Sequence, residues 1–154
     1  MDPLLGQESV KAVSQPKLTM AQRVALVATD FHRQCTGHAP RAVTVALNDF
    51  ALVVTLHDAL SPAEKAVART AKGAANIIEF HRRLFLSSVD VLCDQIRRVT
   101  GVAVREAAVE VETATGAVVH IFTTGTMVQV FQLAGNISAE AWNSCDASDD
   151  AGTA

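Results

Sequence analysis

Apolar residues recur on a helical period between Ser61 and Gly101. Ile78, Phe85, Val89, Leu92, Ile96 and Val99 stand 7, 4, 3, 4 and 3 apart, which is one face of a helix. Ser61-Pro62-Ala63-Glu64 supplies a capping box with proline at the first helical position. Gly101 suits the left-handed C′ position, and Arg97 and Arg98 offset the helix dipole. Gly73 is the expected place for a bend or break. The stripe has a gap: three or four residues after Ile78 come His81 and Arg82, neither of them apolar. Arg82 is the basic side chain expected to point into an interior or an interface, the alternative being that its stem packs while its guanidinium reaches water. Arg83 falls on the polar side, four residues after Glu79 and able to pair with it.

A shorter helical stripe precedes it. Met20, Val24, Val27 and Phe31 stand 4, 3 and 4 apart behind a Thr19/Gln22 capping box, with Gly37 as the terminator. The period then changes to two. Val43, Val45 and Leu47 alternate with smaller or polar residues, Asn48-Asp49 makes a turn, and Phe50, Leu52, Val54 and Leu56 alternate after it, a β-hairpin. Beyond Gly101, Val109 and Val111 alternate with Glu110 and Glu112, Thr115-Gly116 turns, and Val119 and Ile121 return. Thr126 to Leu133 adds a further strand. The order α-β-β-α-β-β(-β) predicts an α+β fold, an antiparallel sheet with two amphipathic helices on one face. One domain spans residues 19–136, between a flexible arm at 1–18 and an acidic, disordered tail at 137–154 in which Trp142 is an isolated anchor.

Composition changes the picture in two ways. Hydrophobic residues make up 49% of the 154 and mean hydropathy is +0.24, yet no apolar run approaches the roughly 18–20 residues of a spanning helix. The surplus predicts self-association, with a homodimer as the expected form, through the face from Ile78 to Val99. Charge is segregated: thirteen basic and nine acidic residues lie at or before Arg105, and seven acidic with no basic residues follow. That distribution argues against nucleic-acid binding. The start, Met1-Asp2-Pro3-Leu4-Leu5, lacks the pattern of a signal peptide, and Cys35, Cys93 and Cys145 are widely spaced, so a reducing cytoplasm is expected.

Candidate chemistry is sparse. His32-x-x-Cys35-x-x-His38 has metal-ligand residue types, but zinc wants four ligands or three and a water; a dipole-compensating histidine and a packed cysteine explain it better. His57 and Asp58 are adjacent in an extended stretch and point apart. Glu110 and Glu112 read as a solvated sheet face, and Lys65, Arg69 and Lys72 as a solvated helix face. Ser87, Ser88 and Ser144 lack a nucleophile elbow. No phosphate loop is present, and no catalytic residue, metal or cofactor is assigned. The candidate binding residues are Arg82, Arg83, Glu64 and His38.

Several segments together resemble a family. They are Thr36-Gly37-His38-Ala39-Pro40 before a strand, Asn48-Asp49 before Phe50-Ala51-Leu52-Val53-Val54, then Ala59-Leu60-Ser61-Pro62-Ala63-Glu64-Lys65-Ala66-Val67-Ala68, a mid-helix Arg82 or Arg83, and Val99-Thr100-Gly101-Val102. This pattern, over roughly residues 20 to 123, resembles the MpsC-like family of small bacterial proteins, in which arginine often stands at the place of His38. The resemblance implies an association with a sodium-translocating, membrane-potential-generating system and brings no catalytic residues with it. Two function classes follow: a non-enzymatic cytoplasmic accessory protein beside a membrane ion-transport complex, or a small-molecule or anion-binding domain, with or without enzymatic activity, with Arg82 at its site.

Overall fold

The computed structural model describes residues 17–105, 117–121 and 125–145, with the backbone alone at 117–121. The expected strand through Val109 and Val111 and its turn at Thr115-Gly116 lie outside these residues.

The chain opens with helix α1 (Met20–Thr36), whose Thr19 capping box forms in full and whose C-terminus closes on left-handed Gly37. Strands β1 (Ala42–Asn48) and β2 (Ala51–His57) make the hairpin. The turn keeps Phe50 out of β2 and leaves it exposed, with Asp49 at φ 50°. Helix α2 (Pro62–Val67) carries the second complete capping box, between Ser61 and Glu64. Helix α3 (Ala71–Thr100) runs 30 residues to left-handed Gly101. Strands β3 (Ala117–Ile121) and β4 (Met127–Gln132) follow. The further strand read at Thr126 to Leu133 is β4.

The helical stretch read from Ser61 to Gly101 is therefore two helices, broken close to Gly73 as expected. The interruption falls at residues 68–70, just before Gly73, and Thr70 caps the second helix by accepting from the Gly73 N–H at 3.0 Å. Gly73 is buried, and a Cβ built on it would lie 1.8 Å from the Val67 carbonyl oxygen. The glycine is what lets α3 start against the end of α2.

The four described strands are all antiparallel in the order β1-β2-β4-β3. Alternation decides the faces. Leu52, Val54 and Leu56 of β2 and Met127 and Phe131 of β4 are buried on the side that α1 and α3 cover. Val24, Ala28 and Phe31 from α1 and Phe85, Val89, Leu92 and Ile96 from α3 complete that core. The face of α3 expected to join two subunits is thus spent inside one chain. Side chains of this size stabilise by about 1.5–3 kcal/mol each when fully buried, which fixes α3 on the sheet.

Past residue 136, where the sequence reads as tail, the short helix α4 (Ala139–Asn143) starts at Ser138, whose hydroxyl accepts from the Ala141 N–H at 3.1 Å. Ile137 and Trp142 pack against the core. Burial of these two apolar side chains outweighs the acidic composition around them.

Candidate functional site

Most of the buried polar side chains meet where α1, α2 and α3 converge over the sheet. His81 of α3 is 2% exposed and lies one helical turn before Phe85. Its Nε2 donates to Glu64 Oε2, across seventeen residues of sequence. The other carboxylate oxygen, Oε1, accepts from the Ser61 N–H at 3.1 Å. Glu64 therefore caps α2 with one oxygen and ties α2 to α3 with the other. The His32 ring stacks on His81, with centroids 6.1 Å apart and planes 12° from parallel, and Phe80 sets its ring against the other histidine at 5.3 Å, edge on.

The histidines also hold the loop that leads into α2. His32 Nε2 donates to the Ala59 carbonyl at 2.8 Å, and His38 Nε2 donates to the Asp58 carbonyl at 2.9 Å. The Ala59 N–H donates to the Gly125 carbonyl at 2.7 Å. Asp58 has φ 56°, and its carboxylate accepts from the Lys65 ammonium. His32 and His38 thus spend their Nε2 atoms on separate backbone carbonyls, and no group of three metal-type side chains converges among the described residues.

The cleft beside the cluster is narrow. It has about 20 Å³, room for about one water molecule, and is lined by His32, Cys35, His81, Met127 and Gln129 among others. Gln129, 2% exposed, donates weakly to Met127 Sδ at 3.9 Å, and its Oε1 has no hydrogen-bond partner among the described residues. A larger hollow of about 450 Å³ lies between the β1–β2 turn and α4, lined by Leu47, Asp49, Ile137 and Trp142. It contains none of the candidate binding residues.

The expected inward arginine is not the one that fills the gap. Arg82 keeps 40% of its side chain exposed and contacts Glu79 at 3.5 Å. Arg83 pairs with the same Glu79 at 2.9 Å, as its spacing predicts. Counting from Ile77, which packs against the core, steps of four reach His81 and then Phe85; Ile78 is partly exposed. Anchoring the stripe on Ile78 hides this, because 78 plus four is an arginine. Of the candidate binding residues, the structure brings Glu64 into the cluster, sets His38 at its edge, leaves Arg82 half-buried against Glu79 and puts Arg83 on the outer surface. Arg82→Met is expected to change stability by no more than about 0.5 kcal/mol, since a solvated pair contributes little. A urea midpoint far below wild type would contradict this placement.

Electrostatics follow burial. Desolvation pushes the His32 imidazolium down from its ordinary range, against the Ala59 carbonyl that favours it. Burial works to raise the Glu64 carboxyl, but hydrogen bonds from His81 and the Ser61 N–H outweigh it, and the net shift is downward. Both shifts favour the folded state at neutral pH relative to acid. Below about pH 6.5 the unfolded chain takes up a proton that folded His32 resists; below about pH 4.3 the unfolded chain protonates a carboxyl that folded Glu64 keeps ionised. Melting temperature should therefore begin to fall as pH drops below 6.5 and fall further through the carboxylate range. A constant melting temperature between pH 7 and 5, with His32→Gln behaving as wild type, would contradict the assignment. Elsewhere, burial raises the Cys93 thiol to about 11, which removes it as a nucleophile at neutral pH.

Comparison with known proteins adds a family. The family model described as "Na+-translocating membrane potential-generating system (MpsC)" matches residues 17–126. No curated protein and no solved structure matches the chain. Among the described residues, no helix is long and apolar enough to cross a membrane.

Proposed function

The chain belongs to the MpsC family, and from that premise we propose that it is a non-enzymatic, cytoplasmic accessory component of a membrane ion-transport system, acting through protein–protein contact. The family description supplies the link to a sodium-translocating, membrane-potential-generating system. The observation that carries the mode of action is how the titratable cluster is used. Glu64, His81, His32 and His38 bind one another or the chain's own backbone, and the cleft beside them has room for about one water. Groups placed this way hold α2 and its entry loop against α3 and present a fixed outer surface. That outer surface carries large apolar side chains, among them Phe50, Val67, Phe80 and Val91, a composition suited to partners.

The alternative, a small-molecule or anion site at Arg82, has the weaker support, because that guanidinium contacts Glu79 and keeps 40% of its side chain exposed. Affinity capture of the tagged full chain from native membranes, followed by mass spectrometry, separates the two. Enrichment of integral transport subunits supports the accessory role. Their absence, together with an anion-dependent melting shift that Arg82→Met abolishes, would overturn it in favour of the alternative.

A further inference from the structure

We propose that residues 58–67, the entry loop and α2, form a latch that three histidines hold closed at neutral pH and that acid releases while the rest of the fold stays in place. His38 donates to the Asp58 carbonyl, His32 to the Ala59 carbonyl and His81 to the Glu64 carboxylate. These are three of the chain's five histidines, and they reach one short segment from α1, from the loop after it and from α3. Apolar burial holds that segment lightly. No residue of α2 is buried, and Ala59 and Leu60 are the segment's buried side chains. The remaining ties are the Ala59 N–H on the Gly125 carbonyl and the Lys65 ammonium on Asp58. Asp58, at φ 56°, and the non-helical residues 68–70 bound the segment at its two ends. A unit of this kind opens more easily than the core beneath it.

Protons couple to that opening through His32. The charged and titratable groups around the ring are His81 of α3, stacked on it, His38 from the loop after α1, Glu64 of α2, and Cys35 on its own helix. Strand β4 contributes only Met127 and Gln129 to the cleft beside it. Asp58 is held by Lys65, with Arg41 and His38 near it. Burial is what most disfavours a proton on His32. The His81 and His38 rings add to this, and the Ala59 carbonyl and Glu64 offset it only in part. Releasing the segment takes the Ala59 carbonyl off Nε2 and opens that end of the ring to water, so its ordinary proton affinity returns. The open state therefore binds more protons than the closed one below about pH 6.5, and acid shifts the population toward it. Glu64 is not the trigger in this range. Burial works to raise its carboxyl, but the bonds from His81 and Ser61 hold it lower than usual, so it stays ionised at pH 5.5. Opening uncovers the buried His81 ring.

Hydrogen–deuterium exchange of the full chain at pH 7.5 and 5.5 tests this, with protection expressed relative to the unstructured rate at each pH. Peptides covering 58–67 are expected to lose protection at least fivefold at pH 5.5, while those from β2 and from residues 85–100 of α3 keep theirs. His32→Gln retains a donor for the Ala59 carbonyl but takes up no proton, and should remove most of the acid-induced loss. Equal protection of 58–67 at the two pH values would overturn the proposal. So would a loss spread evenly over β2 and α3, or one that persists in full in His32→Gln. If that variant does not fold, an NMR titration of the wild-type imidazoles decides: the His32 ring should titrate with the midpoint of the opening, and a midpoint elsewhere would overturn the latch.

Discussion

His81→Ala is expected to lower the unfolding free energy by about 3–4 kcal/mol, from the space left in the core and the loss of a hydrogen bond to a carboxylate. The imidazole is 2% exposed and lies between the His32 ring and the Phe80 edge. Removing it also strands the inner oxygen of Glu64, which stays bound to the Ser61 N–H through the other. Glu64→Gln should cost less, on the order of 1 kcal/mol, because the single amide oxygen keeps one of the two bonds, to the ring or to the Ser61 N–H, and loses the other. Once His81 is gone, Glu64→Gln should cost almost nothing more, since the two side chains act as one unit. Urea unfolding of the two single variants and the double variant measures this. Additive losses, or an His81→Ala midpoint close to wild type, would remove the Glu64–His81 contact from the description of the core.

Gly73→Ala is the second large effect, and its sign is decided by magnitude. Helix propensity alone favours alanine by about 1 kcal/mol. The new methyl group, however, would lie 1.8 Å from the Val67 carbonyl oxygen and 2.9 Å from Thr70 Oγ1. The first of these is backbone, so relief requires moving α2 relative to α3, and overpacking of this kind costs about 1–3 kcal/mol, occasionally more. The clash should win, giving a net loss of up to about 2 kcal/mol. Because α2 carries Glu64, the shift should also weaken the contact to His81. Chemical denaturation checks the loss, and an NMR shift at His81 checks the coupling. A stabilised variant would mean that the two helices are joined loosely.

The features legible in the sequence are those set by neighbours in the chain. Thr19 with Gln22 and Ser61 with Glu64 cap as their spacing predicts, and Gly37 and Gly101 close their helices in the left-handed region. Alternation through Leu52, Val54 and Leu56 placed one sheet face inside. What escaped depends on distance. The break near Gly73 was expected from propensity, but its cause, a carbonyl six residues earlier that turns back onto the glycine, is recorded by no local period. Choosing between His81 and Arg82 required knowing whether Ile77 or Ile78 points inward, a rotation of about 100°. The histidine's partner lies in another helix, and the adjacency of β2 and β4, which brings Gln129 beside Val54, is a matter of topology. The apolar stripe was visible throughout, but periodicity alone does not say whether it meets a sheet in the same chain or another subunit. Here it meets the sheet of the same chain.

The proposed accessory role is tested most directly by the sodium-dependent membrane potential of native cells, read with a potential-sensitive dye, with the gene deleted and then restored. The potential is expected to fall on deletion while the membrane subunits remain present, and the full chain, including its Arg82→Met form, is expected to restore it. An unchanged potential in cells lacking the chain would contradict it.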